Sequence, residues 1–124
     1  MNRKERAVTP RPSFIEIPSR DIDAARSFYA ASFGWQLFGY GPFYACTLTG
    51  EVDVGLQADP DEVTRAPLPV IQVADLESTQ ARVQEAGGRI VRPAFAFPGG
   101  RRFHFCDPNG NEVAVMQAEE SPRE

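Results

Sequence analysis

The chain has little of what a metal centre or a disulfide-bonded fold requires. Its 124 residues include two cysteines and one histidine. Cys46 and Cys106 lie within apolar, strand-like patterns, which favours two buried thiols over a disulfide or a metal pair. The lone histidine, His104, cannot form a metal site without carboxylates beside it. We therefore expect a protein of a reducing compartment, the cytoplasm.

Long apolar runs and basic patches are also missing. No hydrophobic stretch approaches membrane-spanning length, and the N-terminal residues contain no apolar signal-peptide core, so neither membrane insertion nor export is predicted. The formal net charge is −4 at pH 7, and no basic stripe with interleaved aromatic residues is present. A nucleic-acid partner therefore has weak support. The 42% hydrophobic and 24% charged fractions are typical of a globular protein.

What the sequence does contain is one module that occurs twice. In the first copy, Phe14–Ile17 alternates as a half-buried strand, Asp21 can cap a following helix, and Gly34 can end it. Aligning Asp75 with Asp21 places Gly88 on Gly34, with the strand-like sequence PVIQV ahead of the second cap. Neither half is long enough to bury a core of its own, so the two halves are expected to complete each other.

The remaining segments predict strands around tight turns. Asp107–Gly110 forms a turn between the last two strands, with proline and glycine in the positions that turns favour. Pro93–Gly100 contains two prolines and two glycines, which predicts a loop. The order is βαβββ–βαβββ, in a single domain. Its predicted parts are module one over 12–58, a linker over 59–66, module two over 67–117, and loose tails over 1–11 and 118–124.

Two motifs in this arrangement are those of a known family. The segments FYAASFGW and DPNGNEVAVMQ, within a duplicated βαβββ unit, resemble the vicinal oxygen chelate superfamily. That superfamily includes glyoxalase I, the fosfomycin- and bleomycin-resistance proteins and the extradiol dioxygenases. The resemblance covers Ser13 to Gln117. It implies an α+β fold in which tandem βαβββ modules form a half-barrel groove.

The resemblance also implies where a metal ion would be held. Enzymes of the family hold a divalent metal with four side chains, one on the first and one on the last strand of each module. Carried over to this sequence, those positions are Phe14, Gly55, Leu68 and Ala114. None of these side chains can coordinate a metal, which needs imidazole, carboxylate or thiolate donors. We therefore expect no metal and no other cofactor.

Strand alternation indicates which side chains face inward. Phe103 and Phe105 should pack under a helix, so Arg102 and His104 should face the concave side. The resemblance agrees, since the matching residues line the substrate pocket in the fosfomycin-resistance branch. An apolar lining with a few convergent polar groups is typical of a small-ligand site. The predicted ligand-binding residues are Phe14, Asp53, Leu68, Val70, Gln72, Arg102, His104, Ala114 and Met116.

Glu16 and His104 have two interpretations each. Glu16 faces inward on a central strand, where it either pairs with Arg102 or acts as a base with a raised pKa beside His104. His104 either contacts a ligand or is a packed strand histidine with its own hydrogen bonds. Glu16 and His104 are therefore the candidate catalytic residues, and structural roles for both stay open.

Three functions fit this pattern. The first is a metal-free protein that binds a small, partly hydrophobic molecule, as in the bleomycin-resistance branch. The second is a metal-independent lyase or isomerase that uses Glu16 and His104 as acid and base, or a metal-dependent glyoxalase-like enzyme if the ligand assignment is wrong. The third is a regulatory or scaffolding protein with a vestigial cavity. A homodimer is expected in each case, because half-barrels leave sheet edges that relatives cover by pairing.

Overall fold

The computed structural model describes residues 10–119, and over that range it contains eight strands and two helices in the predicted order. The α+β class with tandem βαβββ modules is therefore confirmed. The predicted tails over 1–9 and 120–124 lie outside the described residues, whereas Arg11 and Ala118 belong to strands. The elements are β1 Arg11–Pro18, α1 Ile22–Phe33, β2 Phe38–Gly39, β3 Tyr44–Cys46, β4 Asp53–Gln57, β5 Leu68–Gln72, α2 Leu76–Glu85, β6 Arg89–Phe97, β7 Gly100–Cys106 and β8 Glu112–Ala118.

The chain divides into two compact units. The first is Ser13–Pro69, and the second is the part from Val70 onward, with which the residues up to Pro12 are grouped. In the first unit the strands lie in the order β2-β3-β4-β1, and in the second they lie in the order β5-β8-β7-β6. The predicted linker over 59–66 contains neither helix nor strand. Within residues 10–119, neither helix is long and apolar enough to cross a membrane.

Both helices begin in the same way. The Asp21 carboxylate accepts a hydrogen bond from the Ala24 backbone N–H at 3.1 Å, and the Asp75 carboxylate accepts one from the Ser78 backbone N–H at 3.1 Å. Each bond satisfies a donor that has no partner within the helix. The two caps predicted from the repeat are thus confirmed.

The two helices end differently. Gly34 has φ 70° and donates its N–H to the Ala30 carbonyl, which is the predicted left-handed cap. The second helix does not use the aligned Gly88 in this way, because Gly87, with φ 105°, makes the left-handed turn one residue earlier. Gly88 has another constraint. A Cβ there would lie 2.6 Å from Val83 Cγ1, so a side chain would collide with the helix.

The predicted loop Pro93–Gly100 is wrong over most of its length, because β6 continues through it to Phe97. Two properties of this strand admit Pro93. It is the edge strand of its unit, and its register with β7 shifts between Ile90 and Arg92 and again between Arg92 and Phe95. Proline is tolerated at edges and bulges, where its missing N–H breaks no ladder bond. The strand therefore extends beside β7.

The core of each unit lies between its helix and one face of its strands. In the second unit Phe103 is fully buried, and Phe105 packs against the same cluster, which confirms their predicted position under the helix. In the first unit the rings of Tyr29 and Trp35 stack at 5.3 Å, and both pack, partly buried, against the core cluster. The buried members of the two cores are Leu37, Ala45 and Leu56 in the first unit, and Val73, Leu76, Phe103 and Val115 in the second.

Only some of the apolar side chains of α1 pack on the strands. Ile22, Ala25 and Tyr29 pack on the strands of the first unit, whereas Phe28 and Phe33 are 59% and 61% exposed. These two rings therefore do not belong to the side of the helix that packs on the strands. They lie on the helix surface, where Phe28 meets Tyr29 edge-on at 5.1 Å.

Candidate functional site

In the first unit, the predicted site residues lie on the face of the strands that points away from α1. Strands β1 and β4 are parallel, with Phe14 opposite Asp53 and Glu16 opposite Gly55. Their neighbours Ile17, Val54 and Leu56 belong to the core under the helix. Since side chains alternate along a strand, Phe14, Glu16 and Asp53 share the other face, as predicted.

The Tyr44 side chain lies over Gly55 and contacts Glu16. Its hydroxyl donates a hydrogen bond to Glu16 Oε2 at 3.3 Å, and the Glu16 side chain is buried. A Cβ on Gly55 would lie 2.1 Å from the Tyr44 hydroxyl oxygen and 3.0 Å from Phe14 Cε2. Tyr44 therefore occupies the space that a side chain at position 55 would need. A glycine under an aromatic ring is a known arrangement in strands.

Asp53 anchors the loop between β3 and β4. Its Oδ1 accepts from the Thr47 hydroxyl at 2.7 Å and from the Thr49 backbone N–H at 2.6 Å, and its Oδ2 accepts from the Gly50 N–H at 3.1 Å. Burial alone raises the pKa of Asp53, but these bonds together lower that pKa below the usual range. Burial, followed by the charge of Asp53, raises the pKa of the Cys46 thiol. Asp53 thus has a structural role, and its predicted role toward a ligand stays a prediction.

In the second unit, the strand registers gather most of the predicted ligand residues on one face. In the antiparallel pairing of β7 with β8, Arg102 lies opposite Met116 and His104 lies opposite Ala114. The parallel pairing of β5 with β8 adds the predicted residues Val70 and Gln72 to the same face. Phe103 and Val115 point to the helix, so this face lies on the other side of the strands. Leu68 has the same parity on β5 and is also buried.

His104 has a partner that the sequence analysis did not predict. Its Nδ1 lies 2.8 Å from Oε2 of Glu112, and its ring is almost fully buried. Among the residues that the structure describes, His104 Nε2 has no hydrogen-bond partner. Burial lowers the pKa of His104 below its ordinary value. The bond to Glu112 opposes this shift, while the charges of Arg102 and Arg92 add to it.

Two arginines and two phenylalanines surround this histidine. The Arg92 Cζ lies 3.8 Å from the centroid of the Phe95 ring, and the Arg102 Cζ lies 5.5 Å from the same centroid. Arg102, which is 5% exposed, also lies 5.3 Å from the Phe97 ring, and the rings of Phe95 and His104 are 5.8 Å apart. We call Arg92, Phe95, Phe97, Arg102 and His104 the cationic cluster. Guanidinium groups against aromatic faces form a positive surface with apolar walls.

Part of this cluster could not be found from the sequence analysis, because β6 was predicted to end at Arg92. Phe95 lies opposite Arg102 only because that strand continues. The sequence did contain a signal that Glu112 lies near His104. The turn Asp107–Gly110 pairs Cys106 with Glu112, which makes Glu112 the diagonal neighbour of His104 on one face. The ion pair between Glu16 and Arg102, which belong to different units, stays a prediction.

The residues present do not fit the metal centre that the fold family implies. The four corresponding positions carry Phe14, Gly55, Leu68 and Ala114, which have no donor atoms in their side chains. At position 55 the space is filled by Tyr44. Over residues 10–119, no three His, Cys, Asp or Glu side chains form a group that could hold a metal ion.

Comparisons with known proteins agree with this architecture. The Mycobacterium bovis protein named "Putative glyoxylase CFP32" is 29% identical over 118 residues, covering 86% of this chain and 45% of the relative. The chain thus spans about half the length of the curated relatives it matches. The methylmalonyl-CoA epimerase of Mycobacterium tuberculosis has a TM-score of 0.70 at 19% identity, over 91% of this chain and 90% of that one. The Mn(II)-bound glyoxalase from Novosphingobium aromaticivorans has a TM-score of 0.64 at 21% identity, over 94% of this chain and 43% of that one.

The two solved structures show the fold alone, since their sequence identities are low. The family assignment has a separate basis. The model of the Glyoxalase/Bleomycin resistance protein/Dioxygenase superfamily matches residues 11–115, which is nearly all of the described chain. With the duplicated βαβββ modules, this match shows that the chain belongs to the glyoxalase/bleomycin resistance protein/dioxygenase superfamily.

Proposed function

We propose that this protein binds a small, partly hydrophobic molecule with an acidic group, and that it does so without a metal ion. The observation that carries the proposal is the cationic cluster on the strand face of the second unit. Arg102 is buried there against Phe95 and Phe97, on the same strand face as His104, whose Nε2 has no hydrogen-bond partner among residues 10–119. Burying a charge is costly, and such groups are concentrated at functional sites.

The lining of this face supports a ligand of mixed character. Val70, Ala114 and Met116 are the apolar neighbours of the cluster in the strand registers. They can contact a hydrophobic part of the ligand, while a guanidinium recognises a carboxylate or a phosphate. Arginine has five N–H donors, so one guanidinium can bond to a ligand and to other protein groups at the same time.

A matched pair of arginines tests the proposal. We expect Arg102→Gln to weaken binding of phenylacetate, an aromatic acid, by the value of a charged hydrogen bond, about 1.5–3 kcal/mol. Arg101→Gln is the control, because Arg101 is the neighbouring residue but pairs with Glu77 of the helix instead. Calorimetric titration of both variants and the wild type measures the difference. An equal effect of the two substitutions, or no binding by the wild type, would contradict the proposal.

The metal-free part has its own experiment. Because the four family positions carry no donors, protein dialysed against zinc, nickel or manganese should retain less than about one ion per chain by elemental analysis. One tightly bound ion per chain would instead favour a metal-dependent glyoxalase-like enzyme. The chain also shares its fold with a protein named as a Mn(II)-bound glyoxalase, so this alternative is the relevant one.

A second candidate function is a metal-independent lyase or isomerase. The observation in its favour is that His104 is buried and has a lowered pKa. Its Nε2 has no hydrogen-bond partner among residues 10–119, so this nitrogen can accept a proton. Glu16, the other candidate, is buried next to the Tyr44 hydroxyl. Exchange of the α-proton of a branched acyl thioester in D₂O, followed by NMR, tests this activity. If the protein is such an enzyme, the wild type should exchange this proton, and both Glu16→Gln and His104→Gln should lose the exchange. A wild-type exchange rate equal to that in buffer would exclude the activity.

We also propose that the protein is a homodimer of the cytoplasm. Support for pairing comes from the edge strand β2 and the partly exposed rings beside it, Phe38, Tyr40 and Phe43. Support for the compartment comes from the two free thiols, Cys46 and Cys106, which reducing conditions preserve. Sedimentation at micromolar concentration should give twice the mass of the chain, and a monomer would contradict the proposal.

A further inference from the structure

We infer that Glu112 is a positioning residue that holds His104 with Nε2 as a hydrogen-bond acceptor. The ligand of this face must then carry a hydrogen-bond donor beside its acidic group. This inference rests on the proposed binding of an acidic molecule and narrows the class of ligand. It assigns a role to Glu112, which is not among the predicted site residues.

The hairpin of β7 and β8 builds the contact. Its register sets His104 opposite Ala114 and Cys106 opposite Glu112. Glu112 is therefore the diagonal neighbour of His104, at a separation that a long side chain can span. Ala114 carries only a methyl group, which leaves room for the Glu112 carboxylate to reach Nδ1 at 2.8 Å. The Glu112 side chain is 36% exposed, while that of His104 is 2% exposed.

The chemistry of the pair fixes the position of the imidazole proton. A neutral imidazole has one N–H, and an ionised carboxylate can only accept, so the hydrogen lies on Nδ1. Nε2 then presents a lone pair. Burial lowers the pKa of His104, which keeps the ring neutral near pH 7. Within the part of the chain that the structure describes, no donor reaches Nε2.

The neighbours of His104 define what the ligand must bring. Arg92 lies directly opposite His104 in the β6–β7 register, and Arg102 is two residues away on the same face. Guanidinium N–H groups favour a carboxylate, whereas Nε2 favours an O–H or N–H. The ligand class is therefore a carboxylic acid that also carries a hydroxyl or N–H, with a hydrophobic remainder. An ether in place of that hydroxyl has no hydrogen to donate, so its oxygen and the His104 Nε2 would face each other as two acceptors.

The first experiment needs no ligand. His104 is the only histidine in the sequence, so ¹⁵N NMR of labelled protein reads its two ring nitrogens without overlap. At neutral pH we expect the proton on Nδ1 in the wild type and in Glu112→Gln, whose amide oxygen still accepts. In Glu112→Leu the proton should move, at least in part, to Nε2. Glu77→Leu is the matched control, because it removes an exposed carboxylate of the same unit that pairs with Arg101.

The second experiment compares three acids that share a phenyl ring. Mandelate has a hydroxyl beside the carboxylate, methoxyphenylacetate has an ether there, and phenylacetate has neither. One added hydrogen bond should make mandelate bind roughly three- to tenfold more tightly than phenylacetate, and the ether should lose that advantage. Glu112→Leu should abolish the mandelate preference, whereas Glu77→Leu should keep it. The ratio of the two affinities is the readout, because it cancels the general effect of removing a negative charge.

The outcomes separate this inference from the proposed function. If the acids bind through Arg102 but mandelate has no preference, or if Nε2 carries the proton in the wild type, the inference is overturned and the function stands. If none of the acids binds, the proposed function fails, and the tautomer of His104 still decides the role of Glu112. Should Glu112→Leu not fold, the wild-type tautomer and the wild-type affinities for the three acids still support or overturn the inference.

Discussion

The two units share a backbone plan but bury opposite chemistry. In the first unit, the buried charged side chains on the face away from the helix are the carboxylates of Glu16 and Asp53. In the second unit, the corresponding face buries Arg102 and His104. Both faces are built by the same βαβββ order, and both helices start with the same aspartate cap. The duplication thus fixes the frame and leaves the chemistry of each face free to differ.

The difference lies in how each buried group is satisfied. Asp53 accepts three bonds from its own loop, so its carboxylate is committed to holding β3 and β4 together. His104 uses one nitrogen for Glu112, while the other has no partner in residues 10–119. A committed group stabilises the fold, whereas an open buried acceptor is suited to recognition. We therefore expect substitutions in the first unit to act on stability and those in the second to act on binding.

The largest effect is expected from Asp53→Ala. It leaves the Thr47 hydroxyl and two loop N–H groups without their acceptor, which should reduce the free energy of unfolding by about 2–4 kcal/mol. Asp107→Ala is the control in the second unit, since that carboxylate also accepts from Asn109 and Asn111 but in an exposed turn, where water replaces it. Urea denaturation should show that Asp107→Ala reduces the free energy of unfolding less than Asp53→Ala does. Equal losses would remove the distinction between the two aspartates.

A smaller effect is expected at Gly55. An added Cβ collides with the Tyr44 hydroxyl, so Gly55→Ala should lower the free energy of unfolding by about 1–3 kcal/mol. In a Tyr44→Ala background only the Phe14 ring, 3.0 Å from the added Cβ, remains, so the same substitution should cost less than it does in the wild type. A double-mutant cycle measures this coupling. Additive effects of the two substitutions would show that Tyr44 does not occupy the space above Gly55.

The smallest effect is expected in the pH dependence of the free energy of unfolding, to which His104 and Asp53 contribute over different pH ranges. The folded state depresses the pKa of His104, so the unfolded chain binds the proton first as pH falls. Stability from His104 is therefore complete above its unfolded pKa of about 6.5 and declines below it, by at most about 1.4 kcal/mol per pH unit. Stability from Asp53, whose pKa is also lowered, is present above about 3.9 and is lost as pH falls further, through its folded pKa.

Unfolding free energies measured from pH 7.5 to pH 5 test the histidine contribution. The charged groups that influence His104 are Glu112, Arg92 and Arg102. His104→Gln should flatten the slope between pH 7 and pH 5 and leave the loss at lower pH unchanged. A slope that persists in this variant would assign the dependence to another group.

Local chemistry made much of the fold predictable. Asp21 and Asp75 as caps depend on bonds within one turn, and the alternation around Phe103 depends only on strand geometry. The turn that begins at Asp107 is likewise closed by its own side chain, which accepts from residues two and four positions later. Such features need no knowledge of distant parts of the chain.

The errors arose where a neighbouring strand or helix decides the outcome. Pro93 and the glycines after it predict a loop, but their strand lies at an edge and follows β7 with shifted register. Gly88 matches Gly34 in the repeat, yet the helix turns one residue earlier and Gly88 is needed for clearance from Val83. The partner of His104 follows from a hairpin register that was predictable, although the reach of the Glu112 side chain was not.

Tyr44 also sets the order in which substitutions can accumulate around position 55. A histidine or glutamate there, at the place where the family's metal ligand falls, would meet the Tyr44 ring before it could reach a metal. A small residue at position 44 has to come first, and that change removes the hydroxyl that donates to Glu16. Selection libraries that vary position 55 alone should therefore yield almost no tolerated side chains, whereas libraries that vary both positions should recover them.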